Sequence, residues 1–513
     1  MKKSSILLIS VLVVSFALFI APAPVMAAPP YISWARAYDS GGYDEGWGVA
    51  VDSSNNVIVT GYIRNGTNYD VSTTKYAENG DLVWTRIFDN KPMDAGWGVA
   101  VDSNNNIIVT GYSGENLDSR DFLTIKYDSN GNLVWVRTYD GGAADAGWDV
   151  AVDSDDNIIV TGWTMGANWN YGTIKYDPDG NVIWVRIFDN GFLDYAHGVA
   201  VDSNNNVIVT GTTHPPSGTY NYCTVKYDPN GGLIWVRAYD RGVYEDALSV
   251  AVDSNNNIIV TGKSSLWQPG RFDPDYFTVK YDPNGNVIWA KEHNGGGLDE
   301  GWGLAVDLNN NVIVTGRSEI EGDNDYFTIE YDPDGNVVWT KIYDSPCNDN
   351  DTARSVAVDL NNNLIVAGFS VWADGNYDYY TIKYARAPSL TSPENGAELL
   401  DNTPTFVWTS LSDPSGITYQ IQIDDDNNFG SPVYSAVDLV NNTHTLPDEN
   451  ALALGKYFWR VRARDGEGGV GEWSEEWNFT VVPIGAIGAV LMPLLMLLPL
   501  VLMLWRRNRW YNY

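Results

Sequence analysis

The sequence predicts an all-β protein, and three observations support this prediction. A unit of about 50 residues repeats between residues 32 and 386. Each unit holds four short runs of β-branched and aromatic residues bounded by turn residues, as β-strands are. Three landmark residues each recur seven times. The first is the Trp of W-x-[RK], at Trp34, Trp84, Trp135, Trp184, Trp235, Trp289 and Trp339, and the second is the Asp after the first run, at Asp52, Asp102, Asp153, Asp202, Asp253, Asp307 and Asp359. The third is the Tyr that closes the third run, at Tyr76, Tyr127, Tyr176, Tyr227, Tyr281, Tyr331 and Tyr384. Four strands in each of seven units predict a seven-bladed β-propeller.

The fifth unit shows how each strand is predicted. Its strands A, B, C and D cover residues 249–253, 258–262, 276–281 and 287–291. The sequence D-S-N-N-N joins A to B, and D-P-N-G-N joins C to D. Both connections are predicted to be tight hairpins, because Asp and Asn bond their own backbone, Pro presets φ and Gly accepts positive φ.

The ends of the repeat array predict a closed ring. The array begins on a D strand at residues 34–39 and ends after a C strand at Tyr384. The last blade would therefore take its fourth strand from the N-terminal end of the array. Such pairing would remove two open sheet edges, which otherwise invite aggregation.

The repeat also resembles a known family. Over about 355 of the 513 residues, the patterns [VIL]-[IV]-[VT]-x-G and Y-D-x-x-G-N-x-x-W resemble the SBBP β-propeller repeats of bacteria and archaea. The resemblance implies a β-propeller in a secreted or surface protein. It implies no shared chemistry, so function has to be argued from the site.

The termini predict an exported protein that is held at the cell surface. Residues 1–27 combine two lysines, an apolar run and a small-residue cleavage sequence, as a signal peptide does. Residues 483–505 are apolar and long enough to cross a bilayer as a transmembrane helix. The basic tail at 506–513 is then cytoplasmic by the positive-inside rule. The alternative for this segment is a sorting signal that is removed and replaced by another anchor.

Residues 388–482 lose the repeat and predict a second β-domain after the propeller at 28–387. The stretch Y-F-W-R-V-R-A at 457–463, a Gly-rich turn and Trp473 resemble a fibronectin type III module. In such a module this strand would pack on a Trp like Trp408. The resemblance implies an immunoglobulin-like β-sandwich that serves as a spacer or stalk.

Composition excludes several classes of function. A net charge of −34, from 31 basic and 65 acidic residues, argues against nucleic-acid binding. The two cysteines, Cys223 and Cys347, exclude a disulfide framework and are predicted to be buried thiols. The four histidines show no metal-ligand spacing, and no nucleophile elbow or phosphate loop stands out. We therefore predict neither an enzyme nor a cofactor, with calcium left open because the chain is rich in carboxylates.

The D–A connections carry the candidate ligand-binding residues. An acid lies five positions before the first apolar residue of strand A in every unit, and we call these residues the acidic set: Asp44, Asp94, Asp145, Asp194, Glu245, Asp299 and Asp351. Three positions later lies a second, mostly aromatic set: Trp47, Trp97, Trp148, His197, Leu248, Trp302 and Arg354. Because A strands line the channel of a propeller, the two sets are predicted to form concentric rings near its mouth that bind a cation or another ligand. The structural alternative is that each acid caps its own turn and each Trp packs between blades.

Two further patterns bear on binding. The B–C connections differ in every unit and contain aromatic residues, which is where binding usually sits on a rigid scaffold; they cover residues 62–69, 112–120, 163–169, 212–220, 263–274, 317–324 and 369–377. The D-x-[ND]-x-N runs resemble half of a calcium loop. They lack its Gly at position six and its Glu at position twelve, so the prediction for them is a hairpin turn.

Together these features predict a cell-surface, membrane-anchored and non-catalytic binding or adhesion protein. Its ligand, a surface polymer or a protein, would bind the face formed by the B–C and D–A connections. One alternative is an extracellular enzyme that acts on polysaccharide or peptide at the channel mouth. The other is a structural component of the cell envelope that assembles with copies of itself.

Overall fold

The computed structural model describes residues 30–483 except 216–217, 242–243, 266–273, 321, 346–349, 372–374, 389, 412–415, 466–470 and 472. The predicted signal peptide at 1–27 and basic tail at 506–513 lie outside the described residues, as does the predicted membrane segment apart from Pro483. Within the described ranges, no helix has both the length and the apolar character needed to cross a bilayer.

The described part of the repeat region consists of β-strands of seven to nine residues. They are β1 (Tyr31–Tyr38), β2 (Asp44–Val51), β3 (Val57–Asn65), β4 (Asn68–Tyr76), β5 (Leu82–Phe88), β6 (Met93–Val101), β7 (Ile107–Gly114), β8 (Arg120–Tyr127), β9 (Leu133–Tyr139), β10 (Asp145–Val152), β11 (Ile158–Met165), β12 (Trp169–Tyr176), β13 (Val182–Phe188), β14 (Leu193–Val201), β15 (Val207–His214), β16 (Asn221–Tyr227), β17 (Leu233–Tyr239), β18 (Tyr244–Val252), β19 (Ile258–Ser265), β20 (Asp275–Tyr281), β21 (Val287–His293), β22 (Asp299–Val306), β23 (Val312–Ile320), β24 (Asp323–Tyr331), β25 (Val337–Tyr343), β26 (Asp351–Val358), β27 (Leu364–Val371) and β28 (Tyr377–Ala385).

These strands pair in groups of four that follow the chain. The groups are β2 to β5, β6 to β9, β10 to β13, β14 to β17, β18 to β21 and β22 to β25. Single parallel pairs, Tyr69 with Met93 and Trp169 with Leu193, join the first group to the second and the third to the fourth. β1 pairs antiparallel with β28, in the sheet of β26 and β27, as the sequence predicted for the N-terminal strand. The protein is all-β, with a β-propeller-like repeat fold.

The hydrophobic core of the repeat region lies between neighbouring groups. Ile58, Val71 and Trp84 of the first group pack against Val99 and Leu123 of the second. The other landmark Trp residues occupy equivalent clusters between later groups: Trp34, Trp135, Trp184, Trp235, Trp289 and Trp339. Because one face of each sheet is buried by the next sheet, the apolar pattern has to repeat in every unit.

The W-x-[RK] stretch also joins consecutive units by hydrogen bonds. Trp34 Nε1 donates to the Glu78 carbonyl at 2.9 Å, and Arg36 Nε donates to the Gly80 carbonyl at 2.7 Å. Gly80 has a φ of 85°, and a Cβ there would lie 2.8 Å from the Trp34 ring. This C–D turn therefore requires glycine.

The A–B turns form a second circle of hydrogen bonds. A residue with positive φ in each turn, such as Asn55 at 59°, suits Asn or Asp. Its side-chain oxygen accepts a backbone N–H from the turn of the preceding unit, as Asn105 does from Ser53 at 3.0 Å. The same bond recurs from unit to unit, and Leu360 of the seventh unit donates to Asn55 of the first at 3.0 Å.

A buried ion pair supports the start of each A–B turn, with one exception. Lys75 Nζ lies 2.8 Å from Asp52, and five other units repeat this pair. In the sixth unit Glu330 stands in place of the lysine. Arg386, just after β28, fills the gap with 3.0 Å and 2.9 Å contacts to Asp307 and Glu330. The segment that leaves the repeat region is therefore tied to its sixth unit.

The residues after the repeat form two further sheets. Their strands are β29 (Leu390–Ser392), β30 (Ala397–Leu399), β31 (Thr405–Trp408), β32 (Ile417–Asp424), β33 (Tyr434–Leu439), β34 (Thr443–Thr445), β35 (Gly455–Asp465) and β36 (Trp477–Val481), with a short 3₁₀ turn at Asp448–Asn450. The orders are β29-β31-β34 and β30-β36-β35-β32-β33. Trp408 and Trp459, from different sheets, lie in one shared core, which is the arrangement of a β-sandwich.

Candidate functional site

The innermost strand of each repeat unit contains one residue that the pairing with its neighbour skips. In β2 the register passes from Gly46 to Gly48, and Trp47 is the extra residue of a β-bulge. The same shift skips the other members of the second set: Trp97, Trp148, His197, Leu248, Trp302 and Arg354. We call these seven residues the bulge set. A bulge re-aims a side chain, so the repeat directs all seven out of the ladder.

The sequence-based placement of this set was wrong in one respect. It put the acid and the aromatic residue in the D–A connections, but both lie on the inner strands, since β2 already begins at Asp44. The B–C connections are also shorter than predicted, because the strands continue into them. β3 extends to Asn65, and β4 begins at Asn68.

All seven residues of the bulge set line one cavity of about 180 Å³. Their side chains meet one another there, with the Trp97 and Trp148 ring centroids 4.5 Å apart. The ring centroids of Trp47 in the first unit and Trp148 in the third unit lie 6.0 Å apart. The Arg354 guanidinium lies 4.2 Å from the ring centroids of both Trp47 and Trp302. The side chains therefore reach across the central channel and narrow it at this level.

The acidic set does not share this cavity. Its seven side chains are fully buried, and none of them belongs to the cavity lining. Asp94 Oδ2 accepts the backbone N–H groups of Asn90 and Lys91 at 2.6 and 2.8 Å. Each of the others likewise accepts an N–H from four or six residues earlier in its own connection. The structure thus places the bulge set at the channel. The acids instead cap the turns of their own connections, which was the alternative given for them above.

Burial changes the acidity of several of these groups. It raises the pKa of Asp194 and of Asp351 to about 6, and that of Glu245 to about 7. Asp149, which does line the cavity, has its pKa raised to about 6 by burial. Its carboxylate accepts the N–H groups of Val150 and Val199 at 2.8 and 2.9 Å, which ties the inner strands of two neighbouring units together.

Three members of the acidic set belong to small groups of carboxylates at the junctions between units. The groups are Asp39, Asp44 and Asp378; Asp121, Asp140 and Asp145; and Asp325, Asp344 and Asp351, each with one oxygen per residue within 4.8 Å of the others. The buried members Asp44, Asp145 and Asp351 already accept backbone N–H groups of their own connections. We therefore assign no metal to them.

One half of the channel mouth is aromatic. The mouth is the end of the channel on the face of the B–C and D–A connections. Tyr112 and Trp163 are buried there, in a cluster that also contains Tyr62, Trp97, Trp148, Trp169 and Tyr195. The Trp163 and Trp169 rings lie 4.4 Å apart, and those of Trp97 and Tyr112 lie 4.9 Å apart. We call this cluster, which the first four units supply, the aromatic half.

The other half of the mouth is charged. Lys263 Nζ lies 3.1 Å from Glu300 and 3.8 Å from Asp246, and Arg317 lies 2.8 Å from Glu300. Asp246 is paired across the strands with Lys263, and Glu300 with Arg317, so opposite charges face each other directly. These four residues form the charged half, in which each charge has a partner.

His197 lies between the two halves. Its Nδ1 is 3.0 Å from the Ala247 carbonyl and 3.5 Å from Asp246, and its ring centroid is 4.7 Å from that of Trp148. Burial lowers the pKa of His197, and Asp246 acts in the opposite direction.

The sequence identified the bulge set but missed the residues that make the mouth asymmetric. Lys263, Glu300 and Arg317 were not singled out, nor was Arg120 in the aromatic half. The available signal was a swap of residue type at one repeat position: Tyr62, Tyr112 and Trp163 in early units become Lys263 and Arg317 in later ones.

The chain matches part of a curated repeat protein in sequence and several solved structures in fold. No family model matches it. Over 114 residues, 20% of this chain and 8% of the other protein, it is 31% identical to the uncharacterized WD repeat-containing protein L264 of Acanthamoeba polyphaga mimivirus. The match thus spans a small part of that relative.

Similar solved structures include the polysaccharide lyase Uly1, with 11% identity, a TM-score of 0.46 and coverage of 71% of this chain and 94% of that one. The periplasmic gluconolactonase PpgL of Pseudomonas aeruginosa has 11% identity, a TM-score of 0.43 and coverage of 62% and 88%. The extracellular domain of the hybrid two-component system BT3049 from B. thetaiotaomicron has 12% identity, a TM-score of 0.41 and coverage of 89% and 58%. At these values the likeness extends to neither activity nor ligand. The chain is a β-propeller-like repeat protein, and the narrower SBBP resemblance has no support from a family model.

Proposed function

We propose that this chain is a cell-surface, non-catalytic binding protein. In this proposal the repeat region is a seven-bladed β-propeller, closed by β1, and residues 388–482 are a fibronectin type III-like spacer. Residues 483–505 anchor the chain, and the propeller faces outward. The circle of turn hydrogen bonds and the pairing of β1 with β28 support the closed ring.

The asymmetry of the mouth is the observation that carries the binding proposal. A ring that only filled a channel would use similar residues in every unit. Here aromatic residues of the first four units face paired charges of the fifth and sixth. Sites that recognise a ligand combine aromatic surface with a few fixed polar groups in this way.

The state of the titratable groups at the cavity favours binding over catalysis. Asp149 and His197 are the cavity-lining groups suited to proton transfer. Both Asp149 oxygens accept backbone N–H groups, and His197 Nδ1 faces a backbone carbonyl. Groups that are already engaged in holding strands together are poorly placed to act on a bound substrate.

Adhesion to cells tests the proposed function. The purified full chain is labelled and its retention on cells and isolated cell envelopes of the source organism is measured. Trp169→Ala removes a partly exposed ring of the aromatic half, and Asn284→Ala changes an exposed turn residue on the opposite face. We expect Trp169→Ala to reduce retention by about tenfold, the effect of losing about 1.4 kcal/mol of binding, and Asn284→Ala to leave it unchanged.

Two results would contradict the proposal. Equal losses from the two variants would mean that the mouth is not the binding face. Appearance of new reducing ends or new amino termini in the envelope material would favour the extracellular enzyme instead.

A further inference from the structure

The mouth contains buried hydrogen-bond donors that have no acceptor. Trp47 Nε1, Arg120 Nε and Arg354 Nε are each buried and make no hydrogen bond. All three are donors, so a ligand that satisfies them has to supply acceptors. Leaving such groups unpaired costs free energy, which a ligand with oxygen acceptors would recover.

Two of these donors belong to arginines held by aromatic rings. The Arg120 guanidinium lies 5.0 Å from the Tyr112 centroid and 4.6 Å from that of Trp163. Arg354 lies between Trp47 and Trp302. Stacking of this kind fixes a guanidinium in place and leaves its edge for hydrogen bonds.

Neither arginine has an ion pair among the described residues, in a chain that has 65 acidic residues. Arg317 and Arg241 do have one, with Glu300 at 2.8 Å and Glu292 at 3.0 Å. Glu45 acts on Arg354 and Asp118 acts on Arg120 through space, and the Arg120 guanidinium also interacts with the Tyr112 hydroxyl, which is a neutral partner. Arg120 in the aromatic half and Arg354 in the bulge set therefore each carry a positive charge that no carboxylate among the described residues binds in bidentate fashion.

Further aromatic rings lie in contact with one another at the mouth. The Trp169 and Tyr195 rings lie 5.7 Å apart, and those of Tyr62 and Tyr69 lie 5.3 Å apart. All four are partly exposed. Sugar rings present flat faces of C–H groups that pack on such surfaces, while their oxygens stay at the edges.

A peptide fits this surface less well. An extended peptide that binds through its backbone adds a strand to an open sheet edge. At the mouth the inner edges are broken by a bulge in every unit. A ring-bearing polymer with oxygen acceptors needs no such edge.

We propose that the ligand of the aromatic half is a polysaccharide whose sugars carry carboxylate or sulfate groups, with Arg120 binding the anion and Trp169 stacking on a sugar ring. This inference rests on the proposed function, because it names the ligand class of the same face.

Binding to defined polymers tests the proposal. Affinities of the full chain for polygalacturonate, dextran sulfate, uncharged dextran and poly-glutamate are measured by calorimetry. Salt is kept near 0.15 M, where charges more than about 8 Å away are largely screened, because the chain itself carries −34. The two charged polysaccharides separate a carboxylate ligand from a sulfate ligand, and poly-glutamate represents an acidic peptide.

We expect at least one charged polysaccharide to bind about tenfold or more tightly than dextran, because a charge-assisted hydrogen bond to Arg120 adds to the stacking that both polymers share. Arg120→Gln should remove that advantage and leave the affinity for dextran unchanged. Arg120→Lys, which keeps the charge but loses the fork, should give an intermediate affinity. Trp169→Ala should weaken binding of charged and uncharged polysaccharides alike. Arg241→Gln, at an ion-paired arginine, is the matched control and should bind like the original chain.

Three outcomes would overturn the ligand class. They are failure of both charged polysaccharides to bind, unchanged binding by Arg120→Gln, and poly-glutamate binding as tightly as the polysaccharides. If any of them occurs while retention on cells still depends on Trp169, the ligand is not an anionic polysaccharide. The proposed binding function is then still supported.

Discussion

Each residue of the bulge set has no partner in the neighbouring strand. Its side chain therefore does not follow the alternation of side chains between the two faces of the sheet. The flanking residues are small: Gly46 and Gly48 surround Trp47, and Gly301 and Gly303 surround Trp302. A Cβ at Gly48 would lie 2.6 Å from the Trp97 carbonyl of the next unit. The inner strands of the first two units can therefore approach each other closely only because this position is glycine. In the third unit Asp149 holds the equivalent position and accepts backbone N–H groups from two inner strands instead.

The buried acids predict how stability depends on pH. The folded-state pKa is about 6 for Asp194 and Asp351 and about 7 for Glu245, above the values of about 4 in an unfolded chain. The folded state therefore binds more protons between about pH 4 and 7, and the free energy of unfolding falls as pH rises through this window. We expect the denaturant midpoint to be higher at pH 5 than at pH 7.5.

Glu245→Gln isolates one of these groups. An amide cannot ionise, so this variant should show a smaller loss of stability between pH 5 and 7.5 than the original chain. Glu115→Gln, at an exposed loop position, should keep the original slope. A midpoint that is flat from pH 5 to 7.5 in the original chain would contradict the raised pKa values.

Stability should fall again in acid. Burial acts to raise the pKa of Asp52, but its bonds with Lys75 and Asn56 outweigh burial and hold the pKa below its ordinary value. The equivalent lysine and asparagine partners in other units lower the pKa values of four more carboxyl groups in the same way, those of Asp102, Asp153, Asp202 and Asp253. Protonation below about pH 4 removes this stabilisation, so the two groups of acids together predict a stability maximum at mildly acidic pH.

At this scale the sequence predicted which residues occur at the channel but not how they reach it. Whether a residue is a bulge depends on the register with the neighbouring strand, and register is not contained in the apolar pattern of one strand. A usable sign was present in Gly-Trp-Gly, because glycine inside a strand often marks a bulge. Arg120 could not be found at all, since its stacking on Tyr112 and Trp163 depends on contacts between separate strands.

Among the elements, β1 has the role of a full member of the ring. Trp34 on β1 is 7% exposed and Trp84 on β5 is 8% exposed, and both belong to equivalent clusters. Trp34→Ala should therefore destabilise the protein as much as Trp84→Ala, by about 3–5 kcal/mol in denaturant unfolding. A much smaller loss for Trp34→Ala than for Trp84→Ala would mean that β1 is a dispensable end.

The segment after β28 is predicted to be held by its ion pairs. Asp307 and Glu330 are almost fully buried, so Arg386→Ala would leave two carboxylates without a charged partner, with only neutral hydrogen-bond donors such as Asn311. We expect a loss of about 3–5 kcal/mol in the free energy of unfolding.

A second substitution distinguishes this explanation from simple loss of packing. Glu330→Lys restores the lysine that six other units use against the equivalent Asp. The double variant Arg386→Ala with Glu330→Lys should therefore be more stable than Arg386→Ala alone. If both are equally unstable, the ion pairs are not what Arg386 contributes.

Element boundaries followed from the sequence where turn chemistry is strong and failed where it is weak. The C–D turns contain Gly and, from the second unit on, begin with Asp, and β21 starts at the predicted Val287. The A strands start several residues earlier than predicted, because the residues before the bulge lack apolar alternation. The sequence shows Glu330 as a departure from the lysine pattern. Its partner Arg386 lies 56 residues away, so their contact could be identified only from the structure.

For the molecule as a whole, the anchor remains a prediction, because residues 484–513 lie outside the described part of the chain. Expression of a chain that ends at Pro483 should release the protein into the medium, while the full chain should sediment with membranes. Alkaline carbonate extraction of the full chain separates an integral segment from a peripheral one. A truncated chain that stays with the membrane would show that attachment lies elsewhere.

The pairing of β1 with β28 also sets an order of events during protein synthesis. About 340 residues separate the two strands, and β1 leaves the ribosome first. At 5–20 residues per second the partner follows after roughly 15–70 s. During that interval the intermediate exposes an unpaired strand at one end and a growing open sheet edge at the other. Premature termination anywhere before residue 377 would leave both edges without partners, so a truncated chain is expected to be a substrate for chaperones or proteases rather than a smaller working ring.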